Sequence, residues 1–215
     1  VILAALVLVA GLAAAPDAAA PNADASGAPS GAAALPPGAK KELEKAMAAY
    51  KKQDYAGAEN SFRALVASVP DSAFAHLYLG HSIFYQERFR DSIPDYEKAR
   101  DLELKSAHLE LVNRRILNDQ LGMAYGLSGR IEDAKKHFQT AITADPDYPL
   151  YYYNLACAEA ELGDLDGALA NLKQASEHRA NFLPGESFPD PREDDSFKKY
   201  KGNPKFEATV KEIGF

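Results

Sequence analysis

One spacing constrains this 215-residue chain more than any other property: residues of matching type return every thirty-four positions. Tyr55, Ala58, Phe62 and Pro70 are followed 34 positions later by Phe89, Ser92, Tyr96 and Leu104. Forty-two further on stand Ile131, Ala134, Phe138 and Pro146, and 34 beyond those come Leu165, Ala168, Leu172 and Ala180. Upstream of three of these sets, Leu79-Gly80, Leu121-Gly122 and Leu155-Ala156 also align. A period of this length marks a supersecondary unit that cannot bury its apolar face alone and must stack on copies of itself. Gly80, Gly122, Ala156, Ala58, Ala134 and Ala168 are small where paired helices must approach closely. Gly129 and Gly163 suit left-handed helix ends, and Pro70 and Pro146 stop the helices before them. The expected fold class is all-α.

These positions resemble the tetratricopeptide repeat, most clearly in Leu121 to Asp147 and in Asn154 to Ala175. The resemblance implies a right-handed superhelical solenoid of helix–turn–helix units. Four units are expected, over 39–72, 73–106, 115–148 and 149–182, with an insertion at 105–112. With Ser106 as N-cap, the insertion is expected to lengthen the next helix, giving one helix from Ala107 to Leu127. Residues 183–215 break the period as a loop and closing helices. There Asp195-Ser196-Phe197, Tyr200 and Asn203-Pro204-Lys205-Phe206 resemble the segment that closes bacterial arrays of this kind. Phe197, Tyr200, Phe206, Val210 and Ile213 are the expected plugs.

The first 38 residues have a different character, with no Lys, Arg or Glu. Val1 to Ala15 is an apolar run ending in small residues. It reads as the core of a secretory signal cleaved after Ala13 or Ala14, which implies a periplasmic or secreted domain. The alternative is a membrane anchor, which needs about 20 apolar residues. Residues 16–38 carry five prolines among Ala, Gly and Ser and read as a disordered tether, with the first helix opening near Ala39.

Chemistry is harder to find. A single Cys excludes a disulfide framework, and the five histidines fall into no metal-ligand spacing. A net charge of −7 argues against nucleic acid as the main partner. No cofactor and no catalysis are expected. Cys157 has no Lys, Arg or His beside it in sequence to activate it and reads as a small apolar residue.

What the resemblance implies instead is a ligand groove lined by the first helix of each repeat. The register places Phe74, Leu77, His81, Phe84 and Tyr85 there from the second repeat. The third contributes Asp119 and Met123, and the fourth Tyr153, Asn154 and Cys157. Basic residues that clamp a C-terminal carboxylate in one subclass are replaced here by Leu77, His81, Ile116 and Gln120. The expected function is an exported protein–protein scaffold binding an apolar peptide or helix. Alternatives are an accessory domain of a larger exported enzyme and a module that self-associates weakly. A further alternative is that the protein's own tail or tether fills the groove.

Overall fold

A computed structural model describes residues 36–215; the expected export signal, and the tether up to residue 35, lie outside the described residues. Helix α1 (Pro37–Lys51) opens two residues earlier than expected, because Pro37 occupies the first helical turn, where a missing N–H costs nothing. The following helices are α2 (Tyr55–Ser68), α3 (Ala73–Phe84), α4 (Phe89–Lys105) and α5 (Leu111–Leu127). Then come α6 (Ile131–Ala144), α7 (Pro149–Leu162) and α8 (Leu165–Glu177), a 3-10 helix over Asp195–Tyr200, and α9 (Pro204–Glu212). The chain divides into two compact units, one ending at Ala124 and one beginning at Tyr125.

In the first unit α1 packs on α2, α2 on α3 and α3 on α4. The repeated positions are its core: Ala58, Phe62, Ser92 and Tyr96 are all fully buried. Gly80 shows why the register needs a small residue, since a Cβ there would lie 2.7 Å from the Tyr96 ring. Ser72 caps α3 by accepting the Ala75 N–H, and Asp54 caps α2 by accepting that of Gly57.

The turns between paired helices reveal a second repeat that residue type conceals. Gly129 and Gly163 hold φ of 84° and 87°, as expected. The same left-handed conformation occurs at Gln53 (φ 59°) and Glu87 (φ 61°), the equivalent positions of the first two repeats. One turn geometry therefore serves four helix pairs, with glycine at only two of them.

The insertion is not built as expected. Ser106 ends α4 as its C-cap rather than starting α5, and α5 begins at Leu111 instead of Ala107. α4 and α5 are each 17 residues long, so the preceding helix takes up part of the extra length. The reason is Glu103, whose Oε2 accepts the N–H groups of His108 and Leu109 at 2.9 Å each. A carboxylate projecting from the end of α4 thus satisfies two donors of the connection where the chain leaves the helix.

In the second unit α6 packs on α7 and α7 on α8, and the tail returns against them. Phe197, Phe206, Val210 and Ile213 join Tyr153, Ala156, Ala160, Ala168 and Leu172 in one buried cluster. Four of the five expected plugs are therefore core; the fifth, Tyr200, is half-buried and donates its hydroxyl to the Ala160 carbonyl at 3.2 Å. Asn203 caps α9 through the Lys205 and Phe206 N–H groups.

Candidate functional site

The expected ligand residues of the second repeat lie on α3 at spacings of three and four, so one helix face carries Phe74, Leu77, His81 and Phe84. Burial then sorts them. Leu77 is fully buried and Phe84 nearly so, the latter packed edge-on to the rings of Phe89 and Tyr96. Both belong to helix packing. Phe74 and Tyr85 stay half-buried, each with a ring face engaged: Phe74 against Tyr78 at 4.4 Å, Tyr85 against Tyr55 at 5.0 Å.

Around them is a dense aromatic array. Tyr50 of α1 meets Tyr55, Tyr78, His81 and Tyr85, with ring centroids between 5.3 and 6.3 Å apart. His81 sits in its middle, 4% exposed, with Nδ1 3.3 Å from the Tyr50 hydroxyl. Burial pushes its pKa down to about 3, so the imidazole is neutral at ordinary pH and functions as one more ring with a hydrogen-bonding edge. Asp119, itself buried, belongs to the same neighbourhood. Burial raises the phenol pKa values of Tyr85 and Tyr96, and the charge of Asp119 raises both further. Met123 is half-buried, and its Sδ lies 3.9 Å from the Gln120 amide.

The fourth-repeat residues have a different fate. Tyr153 is 1% exposed and donates its hydroxyl to Asp194 at 3.1 Å, with Phe188 and Phe197 against its ring. Cys157 lies 3.6 Å from the same carboxylate. Burial, and then the charge of Asp194, raise the thiol pKa, which keeps it protonated. Asn154 is half-buried. Along α7 the tail adds further bonds: Tyr148 donates to Glu186 at 2.6 Å and Lys199 to the Glu161 carbonyl at 3.1 Å. This face of α7 is occupied by the chain's own residues 186–200.

Two contributors lay outside the expected set. Tyr55 reads in sequence as a seam plug, yet it stacks on Tyr85; the signal was its position at the start of α2, next to the α1–α2 turn. Asp194, inside an acidic stretch of the tail, holds both Tyr153 and Cys157. No group of three or more His, Cys, Asp or Glu among the described residues could hold a metal ion.

Comparison with known proteins gives consistent results. The sequence profile of the tetratricopeptide repeat matches residues 43–100 and 120–180. A TPR repeat-containing protein of Pseudomonas aeruginosa is 31% identical over 104 residues. That match covers 48% of this chain but only 16% of the relative. Among solved structures, MamA (residues 41 to the end) from Desulfovibrio magneticus RS-1 superposes with a TM-score of 0.66 at 9% identity, covering 83% of this chain and 94% of that one. YrrB, described as a TPR protein with an unusual peptide-binding site, superposes with a TM-score of 0.57 at 18% identity, covering 66% and 70%.

Proposed function

Because this chain belongs to the tetratricopeptide repeat family, we propose that it is a non-catalytic interaction module that holds an apolar peptide or helix of a protein partner on its first two repeats. The observation that carries this is the half-buried aromatic edge of the first unit, where Tyr55, Phe74 and Tyr85 each expose part of a ring whose other face is fixed by packing. Rings held this way give a large contact area at little entropic cost. The peptide site of YrrB supports the reading. The tail-covered face of α7 confines the site, so Tyr153 and Cys157 act in holding the tail rather than in capturing a partner.

The module works outside the cytoplasm on this reading, which rests on the apolar run Val1–Ala15. A second reading, an interaction module within a larger exported protein, is favoured by the much greater length of the Pseudomonas relative.

The test is a peptide selected from a displayed random library on the full chain. Substituting both Phe74→Ala and Tyr85→Ala is expected to weaken its binding at least tenfold, about 1.4 kcal/mol or more, with helical circular dichroism unchanged. A selected peptide that binds the double variant as tightly as the parent places the site elsewhere.

A further inference from the structure

Helix α1 differs in charge from the rest of the chain. Residues 37–52 contain Lys40, Lys41, Lys45, Lys51 and Lys52 against Glu42 and Glu44, in a chain whose net charge is −7. The distribution around the helix sharpens this. Leu43, Ala46 and Tyr50 turn inward and are buried. At 100° per residue Lys41, Lys45 and Lys52 fall on the opposite side, Lys40 and Lys51 lie on one flank beside half-buried Met47, and all five lysines are exposed. Of the two acids, Glu44 shares that face and is exposed, while half-buried Glu42 lies at its margin. Lys45 pairs with Glu42 at 3.4 Å; no other ion pair involves these lysines among the described residues. The outer face of α1 is therefore a strip of positive charge, without a large apolar side chain, on an acidic protein.

The sequence before α1 bears on what could cover that strip. The apolar run Val1–Ala15 is separated from Pro37 by 21 residues, which span at most about 70 Å when fully extended. On the anchor alternative, in which the run is not cleaved, the bilayer that holds it lies within reach of α1. No helix among the described residues is long and apolar enough to cross a membrane, so any membrane contact by this unit is made from its surface.

We infer that the lysine face of α1 docks on anionic lipid headgroups, holding the first unit against the bilayer surface. The contact is electrostatic and reversible, since the face has no aromatic or large aliphatic group to insert. Each lysine near an anionic surface contributes roughly a fivefold factor in partitioning, so five lysines offset by Glu44 amount to roughly several hundred-fold at low salt. The role is separate from partner capture, which uses the opposite, aromatic side of α1 and its neighbours.

Sedimentation of the full chain with lipid vesicles tests this. Phosphatidylcholine vesicles are compared with vesicles in which about a third of the lipid is phosphatidylglycerol, at low and at raised salt. The expected result is at least tenfold tighter binding to the anionic vesicles, falling steeply as salt rises. Changing Lys40, Lys41, Lys45, Lys51 and Lys52 to Gln should abolish that difference. Changing five other exposed lysines (Lys98, Lys105, Lys136, Lys201 and Lys211) to Gln gives the same net charge and should leave most of the difference in place. Circular dichroism checks that both variants keep their helicity. Equal binding to neutral and anionic vesicles shows that the apolar run alone acts and overturns the inference. Absence of binding to either vesicle, or equal losses in the two variants, also overturns it.

Discussion

Single side chains in this protein carry strain and burial that residue type alone does not announce. Gln53 and Glu87 take the left-handed conformation that Gly129 and Gly163 take elsewhere. A Cβ in that region costs on the order of 1 kcal/mol, set against the added chain entropy of glycine in the unfolded state. Glu87→Gly is expected to stabilise the fold by about 0.5 kcal/mol, seen as a rise of a degree or two in thermal midpoint. His81 makes a second prediction. Its pKa is lowered to about 3 by burial, so the unfolded chain takes up a proton that the folded one refuses. Stability from this group is complete above the unfolded value near 6.5 and is lost as pH falls toward 3. Proton NMR should show the His81 ring shifts flat between pH 8 and 5. Of this scale, sequence conveyed the small and aromatic repeat positions, because period and packing impose them directly. It did not convey that Leu77 and Phe84 are core while Phe74 and Tyr85 keep an open edge, since neighbours on one helix face differ only by which ring packs over them.

Helices and their connections follow the repeat except where the spacing stretches to forty-two. The expected single long helix from Ala107 assumed that extra residues extend the element after the gap. The chain instead lengthens α4 to Lys105 and closes the connection with Glu103. Nothing local marks this choice, because Ser106 is as good a helix start in isolation as it is a stop in context. Glu103→Ala should cost about 1 kcal/mol and remove hydrogen-exchange protection at the His108 and Leu109 amides. Protection in the body of α4 should survive. The α1 start at Pro37 was misplaced for a simpler reason: Pro-Pro-Gly reads as punctuation, yet its second proline sits where a helix has no N–H to satisfy.

At the level of the whole chain the repeat predicts more than any single motif: an all-helical array, paired elements and a closing tail were all legible before any coordinate. The closing tail was legible because an array end must cover apolar surface, and the aromatics needed to do so stood at helical spacing. How far the tail reaches was not legible. Tyr153 and Cys157 looked like ligand contacts because their register is that of the groove, and only three-dimensional proximity shows Asp194 answering both.

That arrangement gives the chain a built-in reporter. Its single thiol is screened by the tail and kept protonated by burial and by Asp194. Cys157 is half-buried, so the speed at which a disulfide reagent labels it under native conditions reports both tail opening and the thiolate fraction that Asp194 holds down. Labelling should be slower than for a free thiol at pH 7.5 and should accelerate at least tenfold in Asp194→Ala, with global unfolding shifted far less. A rate indifferent to Asp194 would mean that the thiol is reached without the tail moving. An acceleration that persists after correction for the thiolate fraction, read from the pH dependence of labelling, lets the undocked fraction be followed in the presence of any peptide or membrane, with no label added to the protein beforehand.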